Sequence, residues 1–278
     1  MKIHLLLLLT IFACQGPSLR DANHTELSDT GIILTASTRA LQKDTIPTWS
    51  IAYIMGKFDP ALDTNFIVVD RTFADREGLY LRKDTYEAFK KMHAAAQQEG
   101  VSLIIRSATR NFDYQKGIWE RKWTGETPLE SNKLATGFND LTTRAREILK
   151  YSSMPGSSRH HWGTDMDLNA FSNQYFEHGE GKKIYDWLTD HASQYGFCQP
   201  YTDKATGRTG YEEERWHWSY LPISWELTQN AKKFLKDTMI DGFKGAEEAV
   251  KLGIVDNYVM GIDSSCLSES IRSNPVNN

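Results

Sequence analysis

Cysteine is scarce in this chain of 278 residues: Cys14, Cys198 and Cys266 are all it has. Cys14 closes an N-terminal apolar run, so the body of the chain can form one disulfide at most, and a scaffold held by several bridges is excluded. A basic excess is lacking too. Lys and Arg number 32 against 36 Asp and Glu, for a formal charge of -4. A nucleic-acid binder needs a face of phosphate contacts, which short solvated runs such as Arg82-Lys83 do not make, so nucleic acid is excluded as a partner. Beyond the N-terminus no apolar run is long enough to cross a bilayer, and there is no internal repeat. What is present is ordinary globular composition, enough for one sizeable core and a small appendage.

The apolar run that does occur is an export signal. Lys2 precedes "LLLLLTIFA", which has the length of a signal-peptide core and ends at Ala13-Cys14. A small residue directly before a cysteine matches the bacterial lipobox, although Phe12 is bulkier than the residue usual there. A lipoprotein-type signal peptide is therefore expected over residues 1–19, with lipid on Cys14 as the membrane contact. Cleavage nearby that discards Cys14 leads to the same compartment, periplasmic or elsewhere in the cell envelope. Residues 20–48 are polar, rich in Ser and Thr and weakly patterned, which suits a tether. In an exported chain Cys198 and Cys266 can pair, but sequence leaves the bridged and free-thiol forms open.

A folded domain is expected over residues 49–238, with a C-terminal extension over 239–278. A helix is predicted from Asp84, as its cap, to Glu99, because Phe89, Met92 and Ala96 recur at helical spacing and Gly100 can end it. "VSLIIRSAT" alternates as a strand and delivers Arg110 to its end. Further helices are predicted over Phe112–Trp123, around Leu141–Tyr151, over Lys182–Tyr195 and over Trp225–Lys236. "DMDLNAF" and "RWHWSYL" read as strands, and "GFKGAEEAVKLGIVDNYVMGI" as a helical turn with a docking segment. Helices and antiparallel strands mixed without a regular βαβ rhythm indicate an α+β fold.

Catalytic zinc takes three ligands from His, Asp, Glu or Cys and leaves a fourth position open. Of the seven histidines beyond the signal, His24 lies in the tether, His93 is read onto the outer side of a helix, His178 lies in a loop, and His191 sits on a polar helix. His160, His161 and His217 differ in standing beside carboxylates. If Thr164–Leu168 is extended, Asp165 and Asp167 share a face, and Gly163 permits a turn between them and the histidines. Adjacent histidines in extended backbone diverge, so one of the pair is a neighbour rather than a ligand. In "EEERWHWSYL", His217 can supply a third ligand, while Glu212, Glu213 and Glu214 compete to act as a base on metal-activated water.

Three segments in order carry a family resemblance. "PGSSRHHWGTDMD" resembles the S-x-H-x-x-G-x-x-x-D segment of VanY-type D-alanyl-D-alanine carboxypeptidases, "ERWH" resembles their E-x-W-H, and "SATRNFDYQ" resembles their S-G-Y-R-S-x-x-x-Q. The resemblance runs from about Ile51 to Tyr220. It implies the fold shared with lysostaphin-type peptidases and the hedgehog domain: a small antiparallel zinc-bearing sheet flanked by helices. It implies one catalytic Zn2+ held by His160, Asp167 and His217, with Glu214 as catalytic base. It also implies Arg110 as the group that binds and polarises substrate, and Ser158 and Gln115 in the substrate pocket. Asp165 departs from the small apolar residue of many relatives, and Arg215 from their proline. The roles of Asp165 and His161 stay open. The activity so implied is removal of the terminal D-Ala from peptidoglycan stem peptides. The alternatives are a D,D-dipeptidase, an L,D-type endopeptidase, or a non-catalytic zinc-stabilised binding module.

Overall fold

Residues 49–268 are described by the computed structural model. The expected signal, tether and lipid attachment at Cys14 lie outside the described residues. In chain order come α1 (Ile51–Ile54), the antiparallel pair β1 (Phe66–Val68) and β2 (Tyr80–Arg82), and α2 (Lys83–Gln98). Then follow β3 (Ile105–Ser107), α3 (Phe112–Trp123), α4 (Leu141–Ile148), β4 (Asp165–Leu168) and α5 (Gly179–His191). The last are β5 (Phe197–Cys198), β6 (His217–Tyr220), α6 (Leu221–Phe234) and α7 (Glu248–Leu252). Strands pair antiparallel in the order β3-β4-β6-β5. This is the expected α+β arrangement of a small antiparallel sheet among helices.

Alternation in β4 and β6 gives that sheet two unlike faces. Met166, Leu168 and Trp218 join Ile105 and Phe197 in a core that also takes Phe89 and Met92 of α2 and Ile184 and Leu188 of α5. Asp165, Asp167, His217 and Ser219 occupy the alternate positions. The register sets Asp165 opposite Ser219 and Asp167 opposite His217, so the acids and the histidine meet on one face. A second core gathers α1, α3, α4, α6 and the segment beyond α6, with Trp119, Trp123, Leu227, Phe243, Leu252 and Val259 buried together.

Several local expectations are corrected. Asp84 is not the cap of α2: the helix starts directly from β2 with Arg82 at the N-cap and no side-chain cap. Asp84 instead sits in the first turn, where a carboxylate suits the helix dipole, and pairs with Arg82 at 3.0 Å. His93 is not on the outer side but buried, its ring edge-on to Phe73. "VSLIIRSAT" forms a ladder only at Ile105–Ser107, although Val101, Leu103 and Ile105 are all buried. α6 begins at Leu221 rather than Trp225, because Pro222 fits a first helical turn.

Residues beyond α6 are structurally committed to the domain. Trp119 Nε1 donates to the Lys244 carbonyl at 2.8 Å. Gly245 has φ +81, and a Cβ there would lie 2.5 Å from the Trp123 ring. Cys198 and Cys266 form a disulfide with Cα atoms 5.7 Å apart. It spans a sequence separation of 68, for which chain-entropy bookkeeping gives about 4 kcal/mol. Reduction, or the double substitution Cys198→Ala/Cys266→Ala, is expected to lower the urea midpoint accordingly. An unchanged midpoint would show that the bridge contributes nothing to stability.

Candidate metal centre and active site

The histidine pair sits in a 3-10 turn, Arg159–Trp162, rather than in extended backbone. Successive side chains in such a turn are about 120° apart, so the two imidazoles still diverge. Gly163 reverses the chain with φ +73, and a Cβ there would lie 2.3 Å from Phe66 Cε1. Only glycine suits both the left-handed backbone and that contact. The turn is tethered around its edge: Trp162 Nε1 donates to the Ile54 carbonyl, the Tyr53 hydroxyl to the Trp162 carbonyl, and Arg82 N–H to the Gly163 carbonyl.

Each imidazole has its role set by its partners. His160 Nδ1 donates to the Ala108 carbonyl at 2.8 Å, which leaves Nε2 as a lone pair 3.3 Å from Asp167 Oδ2. His217 Nε2 donates to Asp165 Oδ2 at 2.9 Å, so Nδ1 faces Asp167 Oδ1 at 3.2 Å and Glu214 Oε2 at 3.3 Å. His161 Nδ1 donates to the Arg110 carbonyl at 2.6 Å while Nε2 accepts from Gly156 N–H at 2.9 Å. Both His161 nitrogens are therefore engaged away from the centre, and burial pushes its pKa down to about 3. It knits the Arg110 loop to the Gly156 loop. Gly56 leaves it room, since a Cβ there would lie 2.4 Å from His161 Nδ1.

Asp165 has a definite place behind His217. Its carboxylate also accepts from Arg159 Nε at 3.0 Å, Ser219 Oγ at 2.8 Å and Thr164 Oγ1 at 2.7 Å. Arg159 in turn donates to Thr228 Oγ1 of α6 and to Ser219 Oγ, both at 2.9 Å, and lies over the Trp162 ring. Both members of this pair are buried. Burial alone would raise the Asp165 carboxyl; Arg159 first, then His217 and Thr164, hold it well below the usual carboxylate range.

One ligand atom each from His160, Asp167 and His217 lie within 4.8 Å of one another. His160 Nε2 and Asp167 Oδ1 are buried without a hydrogen-bond partner among the described residues. Orphaned buried acceptors are costly, and a cation among them supplies what they lack. Charge agrees with this. Burial would lower the His217 pKa, but Asp165, Asp167 and Glu214 together raise it well above the ordinary value. A field that draws a proton there draws a divalent cation equally. The donor set thus fits a metal.

Of the three competing glutamates, one is turned inward. Glu212 pairs with Lys204 and Glu213 with Arg215, all part-exposed. Glu214 is buried, its N–H donating to the Tyr201 carbonyl, and burial pushes its carboxyl above the ordinary value against the pull of His217. In front of the centre is a cavity of about 190 Å³ that Glu214, His160, Asp167 and His217 all line. Arg110 lines it too, with a buried Nε that has no hydrogen-bond partner among the described residues. Ser158 and Gln115 are buried but are not part of the lining. Gln115 Nε2 donates to the Ser153 carbonyl at 2.8 Å, while Gln115 Oε1 and Ser158 Oγ lack hydrogen-bond partners among the described residues. Arg215 is turned to Glu213 and lies over the Tyr185 ring. Trp216, the aromatic of the E-x-W-H segment, also lines the cavity, as do Lys122, Glu130 and Tyr151, which no motif announces.

Residues 78–223, just over half of the chain, match the family model described as VanY, D-alanyl-D-alanine carboxypeptidase. The chain belongs to the VanY family. Among curated relatives, a putative carboxypeptidase YodJ of Bacillus subtilis is 30% identical over 171 residues, covering 60% of this chain and 55% of the relative. A D-alanyl-D-alanine carboxypeptidase of Enterococcus faecalis is 30% identical over 129 residues, covering 46% and 44%. The chain spans about half the length of these curated relatives. Among solved structures, VanYB in complex with D-alanine-D-alanine is 23% identical with a TM-score of 0.46, covering 62% of this chain and 84% of that one.

The buried support of His217 yields a prediction within this VanY-family site. Asp165→Asn should lower metal affinity about 10- to 100-fold, the usual effect of losing an outer partner of a ligand histidine. Competition with a chromophoric chelator measures it, circular dichroism checks the fold, and wild-type affinity would show that His217 needs no such support. Asp165→Ala leaves Arg159 buried and unpaired, and should cost about 3–5 kcal/mol of stability in urea unfolding.

Proposed function

We propose that this protein is an exported zinc D-alanyl-D-alanine carboxypeptidase that removes the terminal D-Ala from peptidoglycan stem peptides. The observation that carries the reading is the position of Glu214. Its Oε2 lies 3.3 Å from the Nδ1 of His217 that faces the candidate ligands, in the cavity that Arg110 also lines. A structural metal site closes its ion within four protein ligands, whereas here three side chains border a cavity. Two imidazoles and one carboxylate suit zinc, and His160, Asp167 and His217 would hold one ion.

Zinc bound there would polarise the scissile carbonyl and acidify water to a pKa of about 7. Glu214 takes the proton released as water attacks, and returns it to the departing amine nitrogen of D-Ala. The Arg110 guanidinium, which lines the same cavity, would donate to the oxygen on which negative charge develops, where a placed donor typically contributes a few kcal/mol. The Ala108 carbonyl and the Asp165 carboxylate keep the two ligand histidines in the tautomers that present lone pairs inward. Membership of the VanY family supports peptide hydrolysis, and the name of the Enterococcus faecalis relative supports the D-Ala-D-Ala bond. Export is supported by Lys2, the apolar run to Cys14, and the Cys198–Cys266 bridge, since such bonds persist in oxidising compartments.

Defined muropeptides with pentapeptide stems, incubated with zinc-loaded protein and read by mass spectrometry, should lose the mass of one D-Ala. Loss of a dipeptide or an internal cut would replace the proposed bond with another. Glu214→Ala should lower kcat about 10²- to 10⁴-fold while the protein keeps its zinc. Undiminished turnover would remove Glu214 as the base.

A further inference from the structure

Glu214 sits where the sheet has stopped. β6 begins at His217, and the last bond from β4 on that side runs from Leu168 N–H to the Trp216 carbonyl. Glu214 lies two residues earlier, outside every strand pairing among the described residues. Backbone beyond a ladder is held only if other groups satisfy its N–H and C=O. A general base needs such holding, because a misplacement of about 1 Å can cost roughly 10²-fold in rate.

Two side-chain amides do the holding. Asn173, at the start of the turn Asn173–Glu177 that leads into α5, donates from Nδ2 to the Glu213 carbonyl at 2.8 Å and accepts from Arg215 N–H at 3.1 Å. Gln199, buried directly after β5, donates from Nε2 to the Glu214 carbonyl at 3.2 Å. The same nitrogen donates at 3.1 Å to the Tyr201 carbonyl, which also receives Glu214 N–H. Gln199 Oε1 accepts from the Tyr185 hydroxyl of α5 at 2.9 Å, and Arg215 lies over the Tyr185 ring. Turning either amide end for end would set oxygen against a carbonyl oxygen, so each orientation is fixed. The pattern of the bonds is that of a strand between two neighbours: an extended residue points its own N–H and C=O to one edge, and the flanking C=O and N–H point to the other. Gln199 and Tyr201 serve the first edge of Glu214, and Asn173 serves the second.

We propose that Asn173 and Gln199 are positioning residues for the reaction, which fix the backbone of residues 213–215 from both edges and so set where the Glu214 carboxylate lies. The proposal rests on the peptidase reading above. With both edges bonded, the backbone cannot rotate about its own axis, and the side chain between them is confined to one face. This accounts for Glu214 alone of three successive glutamates being turned inward. Neither Asn173 nor Gln199 is among the residues lining the cavity before the candidate ligands, so both act through Glu214 rather than on the reacting atoms.

The test is a double-mutant cycle against Glu214→Ala, measured with zinc-loaded protein and an N-acylated stem peptide ending in D-Ala-D-Ala. Asn173→Ala and Gln199→Met should each lower kcat about 10- to 100-fold, with KM within a few-fold and zinc content unchanged. In the Glu214→Ala background neither should lower the residual kcat further, because no carboxylate is left to place. Damage to the metal centre or to the fold would instead lower the rate in both backgrounds. Equal losses in the two backgrounds, a wild-type kcat, or an effect confined to KM overturns the positioning role. Thermal melting checks that each variant is folded. Asn173 is part-exposed, so Asn173→Ala decides the question should the buried Gln199→Met not fold. Wild-type protein that leaves the peptide intact overturns the peptidase reading and the proposal with it, an outcome distinct from cleavage that ignores both amides.

Discussion

The hydrogen bond from His217 Nε2 to Asp165 is the contact on which the site depends. It joins β6 to β4 through side chains, as the ladder does through the backbone, and it decides which nitrogen of His217 faces the other candidate ligands. Arg159 brings in the histidine turn and, through Thr228, helix α6. Removing two charges from water is expensive, and a well-paired buried ion pair roughly offsets that cost rather than adding stability. What this pair contributes is uniqueness of arrangement. Any shift of turn, sheet or helix would leave a full charge buried and unmatched.

The opposite face of the sheet makes that arrangement rigid. Met166 and Leu168 alternate with the two aspartates and are locked in the apolar core, so the acids cannot turn without expelling a core residue. Gly56 and Gly163 solve the complementary problem of closeness. Where they stand, a single added carbon would collide with His161 or Phe66. The candidate ligand atoms are thus placed by packing on one side and by missing side chains on the other.

Much of this was legible in the sequence, for reasons that vary with the residue. The alternation of Asp-Met-Asp-Leu assigns faces by itself, and Gly163 signals the turn. His160, Asp167, His217, Glu214 and Arg110 could be singled out by motif, and the cavity brings all five together. The burial of His93 has a signal in the sequence too: it follows Phe89 by four residues and so shares the buried stripe of α2. The start of α2 was hidden because β2 runs straight into it, and a tertiary junction replaces the cap. Pairing of Cys198 with Cys266 depends on a distance that no local pattern encodes. Lys122 belongs to no motif, and its burial beside Ser152 and Glu130 arises only on folding.

The bracing around residues 200–202 bears on where the working unit ends. Asp263 N–H donates to the Pro200 carbonyl, Thr202 Oγ1 donates to Asp263, and Cys266 is bonded to Cys198. That stretch contains Tyr201, which lines the cavity and whose carbonyl receives the N–H of Glu214. The family match stops at residue 223, after every candidate ligand and the base. A recombinant fragment cut at that border would carry the whole chemical inventory and lack the buttress behind it. The packed unit that braces the site is longer than the family match that announces it, and the cysteine that closes it is among the last of the described residues to leave the ribosome.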